Sequence, residues 1–209
     1  LVKAPIILVG PILWAGLWRR GRATASEGVL LAVALAAAVY KPFWEGLDTL
    51  TALRRTELFT ASLGSVLRLA LAPEVGLSTA TAVARWTSLG AFVSVALISI
   101  YLAGRARTAS DALRPACFML RRGLLLASTW FQAWYVVWPL GFGAALAEPR
   151  RHLEAALLGL GGLLQYFVFI YLWVMGYFPA TENLAVQCAA YLCVVGPLLL
   201  GVAALRSST

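Results

Sequence analysis

A chain of 209 residues that is 61% hydrophobic and 12% charged, with mean hydropathy +0.83, carries about half the charge of an ordinary soluble domain. It also has more apolar side chains than a soluble fold of this size can hide, and a lipid solvent removes that need. The net charge of +8 is therefore not the mark of a soluble nucleic-acid-binding protein; in membrane proteins Lys and Arg gather in cytoplasmic loops. The fold class expected is all-α, a polytopic helical membrane protein forming one domain over 1–209.

The first apolar run, 4–18, ends in Arg19, Arg20 and Arg22. The chain opens on Leu1, and 1–10 lacks the pattern of a signal peptide, so this is read as an interior start in a longer protein. A second run covers 28–40, short for a span of ~20 residues. Residues 78–103 make a full-length span with Arg85 near its start, followed by Arg105, Arg107 and Arg114. The stretch 115–147 is apolar except for Arg121 and Arg122, too long for one span and short for two; a split near 131–134 is expected. Glu148, Arg150 and Arg151 follow, then a span over 153–176, a polar turn at 179–183, a last span over 184–205, Arg206 and a polar tail.

This division gives about seven membrane segments. With the loop after the first segment inside, the inside regions 19–27, 105–114, 148–152 and the tail, plus Arg121 and Arg122, hold eleven of the seventeen Lys and Arg. The non-cytoplasmic loop 41–77 balances Lys41, Arg54, Arg55 and Arg68 against Glu45, Asp48, Glu57 and Glu74. That pattern follows the positive-inside rule and predicts a cytoplasmic C-terminus in a plasma membrane. A single span over 123–146 would put the basic loop 148–152 outside, so the charges favour the split.

Two segments stand out. In 41–77, Pro42 ends the preceding span. Leu47, Leu50, Leu53 and Leu58 recur at helical spacing, and Ser62 is a candidate N-cap for a second helix carrying Leu63, Val66, Leu67 and Ala70. One or two amphipathic helices lying at the membrane surface are expected here. They are either a connector touching headgroups or the floor of a site in which Arg54, Arg55 or Arg68 holds a phosphate. In the second segment, Trp130, Trp134 and Trp138 share a face if the helix is unbroken. They form either an aromatic belt or, with Gln132 and Pro139 interrupting the apolar run, the lining of a cavity.

The remaining polar points are weaker. Arg85 snorkels, Gln165 is read as an interhelical hydrogen-bonder, and Gly159, Gly161 and Gly162 permit close helix packing. His152 is a loop residue, and Cys117, Cys188 and Cys193 are small buried hydrophobes. No metal-ligand cluster, phosphate loop, dinucleotide fingerprint or nucleophile elbow is present in the sequence, so neither a metal nor a cofactor is expected.

The residues Lys3-Ala4-Pro5 with Pro11 and Trp18-Arg19-Arg20, then Pro42-Phe43-Trp44 leading to Leu58-Phe59-Thr60-Ala61-Ser62, and later Trp130-Phe131-Gln132-Ala133-Trp134-Tyr135 with Trp138-Pro139 carry a resemblance. Together they resemble the C-terminal half of bacterial polytopic glycosyltransferases of the GT-C fold. The nearest group is the polyprenol-phosphate-sugar-dependent mannosyltransferases, including glycosyltransferase family 87-like proteins. Ala133 stands where many of these have Pro.

The resemblance implies transfer of a sugar, mannose, from a polyprenol-phosphate donor on the non-cytoplasmic face, with the catalytic carboxylate in a loop N-terminal to the region matched. Neither Glu45 nor Asp48 matches that loop, so the catalytic residue is unassigned. On this reading Lys41, Arg54, Arg55 and Arg68 bind the donor phosphate. Gln132, Trp134, Tyr135, Trp138 and Trp44, with Phe43, position sugar or prenyl chain. The partners are then membrane lipid and the lipid-linked sugar donor. The alternatives are a fragment of a transporter or permease, which would show broken-helix pairs in two related halves, and a non-catalytic membrane scaffold.

Overall fold

The computed structural model of the protein describes residues 4–18, 21–41, 59–146, 148–169, 171, 175 and 182–207. Arg54, Arg55, Trp44 and Phe43 lie outside the described residues, as does the first of the two helices expected in 41–77. The described residues form eight α-helices: α1 (Ala4–Trp18), α2 (Arg22–Tyr40), α3 (Leu63–Val75), α4 (Leu77–Ala103), α5 (Ala109–Arg122), α6 (Val137–Ala144), α7 (Pro149–Phe169) and α8 (Leu184–Ser207). Their one extended pairing is a single parallel bridge between Thr60 and Trp130. The all-α expectation holds for these residues.

Three helices have the length and composition of a membrane span: Leu77–Ala103, Pro149–Phe169 and Leu184–Gly201, with mean hydropathies of 1.7, 1.3 and 1.9. The 27 residues of α4 extend about 40 Å, more than a ~30 Å hydrocarbon core requires. Val9–Trp18 and Ala25–Leu35 are shorter apolar stretches. Among the described residues, the seven expected segments reduce to three helices long and apolar enough to cross. The 115–147 stretch yields α5 and α6, each too short to cross, because the chain leaves the helix between them.

Burial inverts the soluble pattern. Trp86 is 70% exposed and Leu200 74%, and Leu30, Leu31, Val33, Leu97, Leu163 and Leu192 also face outward. The inward stripe of α4 is Ala80, Ala84, Ser88, Val95, Ser99 and Ala103. Leucines outside and small residues inside suit a lipid solvent, where close backbone approach rather than hydrophobic burial drives helix association. Gly161 is the sharpest case. A Cβ there would stand 2.5 Å from the Val194 carbonyl oxygen, so only glycine lets α7 and α8 meet at this point.

The contacts fix the directions of the helices. Gly143 faces Ala155, Gly159 faces Leu140 and Gly162 faces Val136, so α6 and α7 are antiparallel. Gly161 against Val194 and Gly201 against Leu157 make α8 antiparallel to α7. Gly64 meets Ser88, symmetric about the Gly76 turn, so α3 and α4 form a hairpin. Ser62 does cap α3, accepting from Ser65 N at 3.0 Å. The helix runs along α4 instead of lying apart from the bundle as a surface helix.

One end of the bundle is ionic. Arg114 bonds Asp111 (2.8 Å) and Glu148, Arg121 bonds Glu154, and Arg151 reaches Glu148 (3.3 Å) and Glu154 (2.9 Å). These bonds join α5, from Asp111 in its first turn to Arg121 in its last, to the first two turns of α7. Gly16 of α1 packs on Ala112 and near the Ala103 carbonyl, so α1 and α4 end here as well. Arg22 after α1, Arg105 after α4, and Arg150 and Arg151 at the start of α7 therefore share one end. α5 and α6 form the two arms of a hairpin whose tip points away from it.

Hydrogen bonding by Thr108 holds the Asp111 carboxyl below its ordinary value, and a hydrogen bond from Arg114 does the same for Glu148. A carboxylate whose pKa is depressed on folding stabilises the fold above its unfolded value of about 4 and loses that contribution as pH falls through the folded value. The melting temperature in detergent is expected to drop below pH 4. The Asp111→Asn/Glu148→Gln variant should show a flatter acid limb in the same titration.

Candidate functional site

The far end is built on two breaks that satisfy each other. After α5 the chain widens into a π-helical turn, Gly123–Ala127, closed by Ser128 N to Gly123 O at 2.9 Å. Ser128 then turns extended, with ψ 130, and the chain stays irregular until a 3₁₀ turn at Ala133–Val136 leads into α6. Such π-bulges concentrate at functional sites. The freed backbone groups at 129–131 pair with 60–62: Thr60 N bonds Thr129 O at 3.0 Å and Phe131 N bonds Thr60 O at 2.9 Å. Ser62 Oγ donates to the same Thr129 oxygen at 2.7 Å. Irregular backbone inside a membrane protein requires this kind of internal partner.

Gln187, in the first turn of α8 and fully buried, locks the junction. Its Oε1 accepts from Ala61 N at 2.6 Å. Ser65 Oγ lies 2.9 Å from that oxygen and 2.7 Å from Ser62 O, so its one hydrogen serves both. Ala61 has φ 47, a left-handed conformation unusual for a residue with a side chain. Strain of this kind, of order 1–3 kcal/mol, persists only where the surroundings over-determine it. Thr60, Ser62, Ser65, Ser88, Gln165 and Gln187 are all buried. Gln165 is one turn beyond Gly161 and Gly162, at the level of this layer, and its Oε1 has no hydrogen-bond partner among the described residues. Buried polar groups in a membrane bundle are expensive and mark either interhelical bonding or a pathway.

The predicted site residues distribute as follows. Arg68 lies on α3 with its guanidinium 5.5 Å from the Phe59 ring centroid, beside the bridge. Tyr135 is buried and meets Trp130 edge-on, centroids 6.5 Å apart at 81°. Gln132 is half-buried at the start of the 3₁₀ turn, its carbonyl accepting from Tyr135 N at 2.9 Å. Trp138 packs against a different cluster, the one that holds Val9, Ile12, Val95, Ala116 and Met119, and its buried Nε1 has no acceptor among the described residues. Trp134 stands in the 3₁₀ turn. Because the helix breaks before Gln132, the tryptophans do not form one stripe. Lys41 is exposed at the end of α2, which packs on α1.

Gln187, Ser65, Thr60 and Thr129 were missed in the sequence. The signal for Gln187 was there, a lone amide in an apolar span, the same signal that singled out Gln165. Helices α3 and α8 both start at this layer, but Ser62 and Asn183 already cap them (Asn183 Oδ1 accepts from Val186 N at 3.2 Å). Among the described residues no group of His, Cys, Asp and Glu is arranged to hold a metal. The layer combines the Arg68 guanidinium, beside Phe59, with buried serine hydroxyls that bond within the fold. Comparison with models of known protein families, with curated proteins and with solved structures finds no match.

Proposed function

We propose that this chain is the lipid-facing part of a GT-C-type glycosyltransferase that moves mannose from a polyprenol-phosphate donor to an acceptor on the non-cytoplasmic face of a bacterial plasma membrane. One observation carries the reading. Two of the three stretches on which the resemblance rests meet here, 59–62 pairing with 129–131 through the Thr60–Trp130 bridge. They meet where α7 ends and α8 begins, away from the arginine-rich end, with the α3–α4 hairpin running on past them to the Gly76 turn. Under the positive-inside rule the arginine end is cytoplasmic, together with the C-terminus of α8, and the paired segments then face the other side. Arg68, joined by Arg54 and Arg55 from the preceding segment, supplies charge to the departing polyprenol phosphate. Trp130 and Tyr135 flank the sugar, and the catalytic carboxylate lies N-terminal to the region of resemblance.

The test is transfer of labelled mannose from a polyprenol-phosphate donor by the full-length protein in membranes. Arg54→Glu/Arg55→Glu and Arg68→Glu are each expected to lower the rate by about a hundredfold or more. Wild-type rates in both would remove the phosphate assignment, and absence of donor-dependent transfer by the wild type would remove the reading. The interrupted α5–α6 hairpin is the feature a transporter reading would use; uptake without transfer would favour it.

A further inference from the structure

Two glutamines are buried on the packed helices α7 and α8, and they fare differently. Gln187 on α8 is fully buried, and its Oε1 is taken up by Ala61 N and Ser65 Oγ. Gln165 on α7 is 2% exposed, and its Oε1 has no partner among the described residues. An unsatisfied polar group inside an apolar bundle carries its full desolvation penalty and returns nothing to the fold. Structure accounts for Gln187 and leaves Gln165 without a purpose.

The packing shows why Gln165 is unanswered. Gly159 against Leu140, and Gly162 against Val136 and the Ala133 carbonyl, set α7 antiparallel to the chain that runs from the 133–136 turn into α6. Carried on by one turn, that register brings Gln165 level with Ala133. The Gly161–Val194 and Leu157–Gly201 contacts bring it level with Ala190 of α8 in the same way, and Ala190 is fully buried. Alanine side chains neither donate nor accept. Leu158 and Phe169, on the same buried face of α7 as Gln165, belong to one cluster with Phe131 and Tyr135. The amide is thus set beside aromatic rings, under the interrupted backbone of 128–136. Irregular backbone at membrane depth is tolerated where it is buried in protein or lines a cavity.

A neutral amide fixes the chemistry of its ligand. It offers an acceptor and two donors but no charge, so it cannot offset the burial of an ion. A hydroxyl, which both donates and accepts, is its complement. We propose that Gln165 binds a hydroxyl of the sugar being transferred, beside Tyr135. This rests on the glycosyltransferase reading and adds to it the group that recognises the sugar. Entry of the sugar requires the 3₁₀ turn at 133–136 to shift off α7, and a 3₁₀ stretch of this kind often marks a hinge.

The experiment compares the full-length wild type with Gln165→Met, which keeps the bulk and removes the amide. In detergent without donor the variant is expected to melt about 3 °C higher, because a buried group without a partner is gone. In membranes, both proteins are given polyprenol-phosphate mannose and each of its monodeoxy forms. The wild type is expected to lose about tenfold or more in kcat/KM on one monodeoxy donor. Gln165→Met should lose a similar factor on mannose itself and no longer distinguish the two. An unchanged or lowered melting temperature would show an amide already held, by the fold or by a trapped water, and would overturn the proposal. A variant that keeps the wild-type preference among the donors would overturn it too, while leaving the glycosyltransferase reading in place. Absence of donor-dependent transfer by the wild type would remove both.

Discussion

Glu154→Ala is expected to destabilise the folded chain by about 3–5 kcal/mol. Arg121 and Glu154 are 7% and 5% exposed, and they join the last turn of α5 to the second turn of α7. Removing the carboxylate leaves the Arg121 guanidinium inside the bundle with its counter-charge gone. A buried unpaired charge costs far more than the intact pair contributes. The double variant Arg121→Met/Glu154→Leu fills the space without charge and is expected to recover most of the loss. Reversible unfolding in detergent, run as a double-mutant cycle, reads the coupling. A cost below about 1 kcal/mol for Glu154→Ala would mean the pair behaves as a solvated surface bridge.

Gln187→Leu is expected to cost about 2–3 kcal/mol. The side chains are similar in bulk, so the change is chemical. Ala61 N–H, in a strained left-handed residue, loses its acceptor inside a dry layer, and the Ser65 hydroxyl loses one of its two. A buried donor left unsatisfied carries the full desolvation penalty. Because Gln187 belongs to α8 and Ala61 to the segment before α3, the loss should also loosen 59–62 from 128–131. Amide hydrogen exchange at Thr60 and Phe131, whose N–H groups form the bridge, is expected to accelerate. Unchanged protection there, with a loss under 0.5 kcal/mol, would show that the two irregular segments hold each other without Gln187.

Much of the helical layout was legible because it depends on local pattern. The bounds of α1 and the start of α8 coincide with changes in apolar character, and Ser62 capped α3 because a short hydroxyl side chain can accept from a free amide two or three residues ahead. The break in 115–147 was legible from length and charge: a single span would have placed 148–152 away from the other basic loops, and the Arg114–Glu148 bond joins 105–114 and 148–152 at one end. The number of full spans was not legible. Apolar composition marks a stretch as fit for lipid but does not say whether its helix continues, and the π-turn and the Thr60–Trp130 bridge shorten α5 and α6 through partners about seventy residues away.

The sequence by itself determined that this is a helical chain suited to a membrane, that its arginines cluster in particular loops and that 41–77 and 130–140 are unusual. Those properties follow from composition, periodicity and capping, which act over a few residues. Only the tertiary structure decided that the two unusual segments pair with each other, that Trp138 faces a different cluster from Tyr135, and that Gln187 rather than Gln132 anchors the junction. An irregular backbone segment in an apolar bundle takes whatever hydrogen-bond partner the packing brings to it, and packing is set by which glycines and small residues let helices approach.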